Sequence, residues 1–209
     1  MAGMTGQLRD AARVALFEDE LGRRLVHASG SAVPGLYLLG LATWKQVQLL
    51  FLVGAAVAVG LEGFRHAGNI DWRIFTYLTR EYEQETVAGY VLYMLSSAAV
   101  AFAFEPQVAV PAILMLMLGD PISGLTASDE FRRIKRPRTL VTMFFVCVVI
   151  ALPFVHEAPL AVLLGGLGGT LADGVKPIVR GHVIDDNLTI PPVAAIGLFV
   201  GLELTAAIG

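Results

Sequence analysis

Long apolar runs separated by short polar links dominate the chain. They cover roughly 25–43, 46–64, 86–104, 107–119, 139–156, 158–172 and 190–208, with too few polar positions to mark a one-sided helix. About 20 apolar residues carry an α-helix across a hydrocarbon core. The pattern predicts an all-α polytopic membrane protein with about seven transmembrane helices. Two runs, 107–119 and 158–172, are short and call for tilt, local thinning or burial among neighbours. The second carries Gly165, Gly166, Gly168 and Gly169, which favours close helix contact. No G-x-x-x-x-G-K-[ST] phosphate loop accompanies them.

The link 65–85 has a different texture. Trp72, Phe75, Leu78 and Tyr82 recur at helical spacing with Arg73, Arg80, Glu81 and Glu85 between them. This predicts a short amphipathic helix lying in the interface. Its role is structural, or it forms one wall of a lateral lipid entrance.

Composition agrees with the pattern. The chain of 209 residues is 56% hydrophobic and only 16% charged, where a soluble domain carries about a quarter charged residues. It reads as one integral-membrane domain, 1–209, with 1–24 as a cytoplasmic N-terminal segment. Residues 1–20 show no apolar core with a cleavage site, so no cleavable signal peptide is expected. The single Cys147 excludes a disulfide framework and a thiol metal cluster. No nucleic-acid partner is expected, and the oligomeric state stays open.

The net charge of −3 matters less than where the charges lie. With seven spans, the N-terminus and the links 65–85, 120–138 and 173–189 share one face. Of the 15 Lys and Arg residues, only Lys45 falls on the other. The positive-inside rule then puts the N-terminus in the cytoplasm and the C-terminus outside the cell membrane.

Acidic residues mark the ends of three apolar runs on the basic side: Asp120 before Pro121, Asp173 before Gly174, and Asp185-Asp186-Asn187 before Pro191. Each alone is an ordinary turn signal. Together they suggest one polar site, and carboxylates at a membrane rim suit a hard cation such as Mg²⁺. The run Arg132-Arg133-Ile134-Lys135-Arg136-Pro137-Arg138 follows Asp120. It either meets anionic headgroups or clamps a polyphosphate. His27, after Arg23-Arg24, is either a hydrogen-bonded buried histidine or a group that touches phosphate or moves a proton.

These residues resemble a known family. Glu20-x-x-Arg23-Arg24-x-x-His27 looks like the opening motif of dolichol kinase-like membrane proteins, which include phytol kinases and are related to CTP-dependent phosphatidate cytidylyltransferases. Arg80-x-x-Glu83 followed by Gly89 is similar to the second block, and Gly119-Asp120-Pro121-x-Ser123-Gly124 to the Gly-Asp block. Asp173 falls where relatives place a carboxylate. Asp186-Asn187-Leu188-Thr189-Ile190-Pro191 is similar to the closing block, the most specific of the set. The resemblance runs from about residue 20 to 208 and has an archaeal flavour. Where relatives carry a glycine-containing Lys-Ser or Lys-Thr segment, this chain has Lys135-Arg136-Pro137-Arg138-Thr139-Leu140.

The resemblance implies a CTP-dependent kinase for a polyprenol or dolichol-type isoprenoid alcohol, embedded among membrane lipids. It implies Mg²⁺ on Asp120 and Asp186, ordered by Asn187. Phosphate or nucleotide contacts fall to Arg23, Arg24, His27, Arg80, Glu83, Ser123, Lys135, Arg138 and Lys176. Asp120 belongs to the catalytic set with Asp173 and Asp185, and either of the last two is expected to take the alcohol proton. Two rivals remain: a cytidylyltransferase acting on a lipid phosphate, and a non-enzymatic lipid-binding or transport protein.

Overall fold

A computed structural model describes residues 22, 24–67, 86–127, 132–179 and 182–208. Arg23, Arg80, Glu83, Arg180 and most of the expected interfacial helix lie outside the described residues. The protein is mostly helical. The helices are α1 (Ala32–Leu38), α2 (Trp44–Ala67), α3 (Gly89–Ala103) and α4 (Pro106–Leu114), the last continued by a wide π-helical turn (Met115–Gly119) into α5 (Asp120–Gly124). Then come α6 (Pro137–Val155), α7 (Pro159–Gly174) and α8 (Asp186–Ile208). A two-residue antiparallel hairpin, β1 (Ile178–Val179) with β2 (His182–Val183), interrupts the all-α expectation.

Among the described residues, four helices are long and apolar enough to cross a membrane: Trp44–Ala67, Pro106–Gly124, Pro137–Val155 and Asp186–Ile208. Their outward faces carry exposed Leu49, Leu52, Val149, Phe145, Ile196 and Phe199, a surface suited to lipid. The arrangement is compatible with an integral membrane protein. The other expected spans are shorter. Helix α3 has 15 residues and α7 has 16, about 22–24 Å at 1.5 Å per residue.

The expected run 25–43 is not one helix. Residues 24–29 are helical, the chain turns at Gly30 and Ser31, and α1 follows. Pro34 has no N–H for the Gly30 carbonyl, and its ring crowds that carbonyl. The Gly30 oxygen accepts from Val33 N at 3.0 Å instead. Gly30 also lies against the Tyr93 hydroxyl, where a Cβ would stand 1.8 Å from that oxygen.

The core is built on a glycine seam. A Cβ on Gly168 would come within 2.7 Å of the Val193 carbonyl oxygen. One on Gly197 would meet the Leu164 carbonyl oxygen at 2.4 Å, and one on Gly201 the Ala161 Cα at 2.3 Å. Helices α7 and α8 therefore touch backbone to backbone, running antiparallel. Helix α6 packs on the other side of α7, with Cys147 against Gly169 and Leu140 against Gly174. Because the seam is continuous, the last turn of α7 is delivered to the first turn of α8. There Thr189 Oγ1 donates to the Ala172 carbonyl at 3.3 Å.

A second clasp ties α2 to the start of α3. Buried Glu62 accepts from Arg65 Nε at 2.9 Å, Arg65 Nη2 at 2.7 Å, Ala88 N at 2.9 Å and Tyr90 Oη at 2.8 Å. A buried carboxylate is tolerated when its lone pairs are used in this way.

Candidate functional site

Asp120, Asp173 and Asp186 converge at one end of the bundle. Each offers a carboxylate oxygen, and these oxygens lie within 4.8 Å of one another. All three were expected in links, and all three stand on helices instead. Asp120 opens α5, Asp173 is one residue from the end of α7, and Asp186 opens α8. A helix end fixes a side chain more firmly than a loop does, which is what a convergent site requires.

Local backbone chemistry explains how each acid is aimed. The wide turn before Asp120 follows an i→i+5 pattern. In that pattern the Leu116 carbonyl belongs to residue 121, and Pro121 has no N–H to give. His27 Nε2 approaches the Leu116 carbonyl to 3.2 Å, and since a carbonyl only accepts, Nε2 is the donor. The same ring nitrogen stands 3.9 Å from Asp120 Oδ2. The His27 carbonyl in turn accepts from Tyr93 Oη at 3.0 Å, and the two rings meet edge to face. Arg24 Nη1 donates to the Pro121 carbonyl at 3.4 Å, on the flank of the site.

At α8 the device recurs. Pro191 cannot donate to the Asn187 carbonyl four residues earlier, and Ser96 Oγ on α3 donates to it at 2.6 Å. Asp185 precedes the helix and accepts from Asn187 N at 2.9 Å and from Asn187 Nδ2 at 2.7 Å. That is the bonding of a helix N-cap. The Asn187 side-chain oxygen is buried without a protein donor.

Two lysines enter between the acids. An isolated antiparallel bridge pairs Ile134 with Val175, with Lys135 N donating to the Gly174 carbonyl at 2.9 Å and Lys176 N to the Arg133 carbonyl at 3.0 Å. This bridge sets both side chains over the triad. Lys135 Nζ lies 2.5 Å from Asp173 Oδ1, 3.6 Å from Asp186 Oδ2 and 3.8 Å from Asp120 Oδ1. Lys176 Nζ lies 3.3 Å from Asp186 Oδ2. Burial pulls the Lys135 ammonium toward its neutral form, but the charges of Asp173, Asp120 and Asp186 outweigh this and hold its pKa above the ordinary lysine value. Asp173 is fully buried and also accepts from Ser123 Oγ at 3.3 Å.

The structure thus brings Asp120, Asp173, Asp186, Lys135, Lys176, His27, Ser123 and Arg24 together, with Asp185 and Asn187 alongside. Arg138 is different: it lies exposed in the first turn of α6 and makes no ion pair with the triad. Sequence reasoning missed Tyr93 and Ser96. The available signal was two hydroxyl residues three apart in an apolar helix, which share one face.

The donor set fits a divalent cation. Among the five named groups, three carboxylates against two ammonium groups leave one negative charge, and the buried Asn187 oxygen beside Asp186 in the chain has no donor. No family model, no curated protein and no solved structure matches this chain.

Proposed function

We propose that the protein is a CTP-dependent kinase of an isoprenoid alcohol of polyprenol or dolichol type. The observation that carries the reading is the convergence of Asp120, Asp173 and Asp186 with Lys135 and Lys176 at one end of an apolar bundle. The choice of CTP and of the isoprenoid acceptor rests on the resemblance of the Gly119–Gly124 and Asp186–Pro191 blocks. Arg24, Lys135 and Lys176 lie at this end, and the sequence assigns the other basic residues except Lys45 to the links of the same side, so our reading puts it at the cytoplasmic face of the cell membrane, with seven passes and the C-terminus outside.

Asp120 and Asp186 would hold Mg²⁺, which neutralises phosphate charge when bound. The protein's own groups do the rest. Lys176 and Lys135 meet phosphate oxygens, and Arg24 stands at the rim beside them. Phosphoryl transfer needs alignment and charge neutralisation more than covalent help. The lipid hydroxyl oxygen bonds to the γ-phosphorus, the bridging P–O bond breaks, and CDP leaves.

The alcohol proton needs an acceptor. Asp173 is buried under Lys135 and Ser123, and Asp185 caps α8. Asp120 is the most exposed of the triad at 22%, and its Oδ2 faces away from Lys135 toward His27. We assign the proton to Asp120 Oδ2.

The test is incubation of the purified protein in lipid with γ-labelled CTP, Mg²⁺ and a panel of isoprenoid alcohols. Labelled lipid phosphate and CDP are expected. Pyrophosphate release from a lipid phosphate acceptor would identify a cytidylyltransferase instead. Lipid binding that ignores CTP and Mg²⁺, with no product of either kind, would leave a non-enzymatic lipid-binding protein.

A further inference from the structure

We infer that Lys135 is an exchangeable counter-ion: its ammonium and a divalent cation compete for the same three carboxylates, and the displaced ammonium moves onto substrate phosphate. The inference rests on the reading of the triad as a cation site. Among the described residues, Lys135 stands in ion-pair contact with all three acids, at 2.5, 3.6 and 3.8 Å. The carboxylate oxygens span at most 4.8 Å, so an ammonium and a dication cannot share the space without close like-charge repulsion. Lys176 is built differently, because it reaches only Asp186.

The backbone is arranged so that only the head group needs to move. Lys135 N is fixed to the Gly174 carbonyl, and Pro137 starts α6 two residues later. The four-carbon stem supplies the rotation. Without a new acceptor, expelling a half-buried ammonium is costly; a phosphate oxygen is such an acceptor. Cation and phosphate therefore assist each other's binding through Lys135. The coupling is reciprocal, so each tightens the other by the same factor. A protein built this way holds a free metal ion weakly and a metal–nucleotide pair firmly.

The experiment uses the full chain in neutral-lipid nanodiscs with Mn²⁺ as a paramagnetic probe. Dissociation constants are read by electron paramagnetic resonance for the parent protein, Lys135→Met and Lys176→Met, without nucleotide. Lys135→Met is expected to tighten Mn²⁺ by roughly tenfold to hundredfold, the worth of one hydrogen bond to a charged group. Lys176→Met should tighten it by a clearly smaller factor. Equal tightening in both variants would mean general electrostatics and would overturn the exchange.

A second measurement needs no variant. Acylation of the parent protein by acetic anhydride, followed residue by residue by mass spectrometry, should rise at Lys135 when Mg²⁺ saturates the site while Lys45 stays constant. Unchanged protection of Lys135 would overturn the inference even if Lys135→Met fails to fold. Absence of Mn²⁺ binding in every form would remove the cation site and the exchange together. Intact exchange without transfer to any alcohol would sustain this inference while sinking the kinase.

Discussion

At the residue scale, the site is a matter of which charge answers which. Asp173 is 0% exposed, and its partners are Lys135 and Ser123. Losing the Asp173 charge removes the closest of the three carboxylates around Lys135, a charged hydrogen bond worth about 1.5–3 kcal/mol, while Asp120 and Asp186 still face the ammonium. Asp173→Asn is therefore expected to lower the thermal midpoint strongly and abolish transfer, whereas Arg138→Ala on the exposed first turn of α6 should leave stability almost unchanged. Thermal unfolding in detergent or lipid checks both, and an unchanged midpoint in Asp173→Asn would show that Asp120 and Asp186 alone suffice to hold Lys135. The three acids were legible in the sequence because each stands where an apolar run meets a polar link. Lys135 was legible as a phosphate contact, but its place among the acids was not. Its position depends on the bridge between Ile134 and Val175, a contact between distant links that no periodicity encodes. Tyr93 and Ser96 were hidden for a related reason, since a hydroxyl in an apolar helix announces itself only once its acceptor is known. Tyr93→Phe removes the donor to the His27 carbonyl. It should cost about 1 kcal/mol, the usual net worth of such a bond, and reduce transfer by loosening the His27 ring. A variant with unchanged stability and unchanged turnover would show that His27 is held by other contacts.

At the scale of elements, prolines and glycines do complementary work. Pro34, Pro121 and Pro191 each lack the N–H that a helix would use, and carbonyls beside them are taken by other groups. Leu116 is met by His27 and Asn187 by Ser96. In this way the helices are stitched together at the end that bears the acids. The sequence marked Asp120-Pro121 as a turn signal but ran straight through Pro34 and Pro191; their use as cross-links appears only when the partner helix is in place. The glycines act lower down the bundle. A leucine at Gly168 would drive its Cβ into the Val193 carbonyl, 2.7 Å away, and backbone cannot yield as a side-chain tip can. Overpacking of this kind costs about 1–3 kcal/mol. It would also part the ends of α7 and α8 that carry Asp173 and Asp186. Gly168→Leu is expected to lose Mn²⁺ binding as well as stability, whereas Gly60→Ala, with nothing within 4 Å, should lose neither. Retention of full metal affinity in Gly168→Leu would show that the acids converge without the seam.

For the whole molecule, the apolar pattern placed most boundaries but overstated the uniformity of the helices. Four are long enough to cross unaided, while α3, α7 and the broken 24–38 segment are shorter. The short ones lean on neighbours: Gly165, Gly168 and Ala172 of α7 are buried against other helices, so this element needs less lipid-facing length. The hairpin β1–β2 went unread because two-residue strands leave no alternation to detect. The proposed topology rests on charge. Every Lys and Arg except Lys45 lies in the N-terminal segment, in the links joining α2 to α3, α5 to α6 and α7 to α8, or at the helix ends beside them. A reversed orientation would ask those positive groups to cross the membrane. An even number of passes would return the C-terminus to the basic side. The proposed seven passes would satisfy both conditions and would put the end with the triad in the cytoplasm, on the side that the proposed nucleotide would come from. Single cysteines introduced as Gly3→Cys and Gly209→Cys in a Cys147→Ala background are therefore expected to react with an impermeant maleimide from opposite sides. Reaction of both from the same side would force an even number of passes. Reaction of Gly3→Cys from outside would turn the triad away from its nucleotide and end the kinase reading.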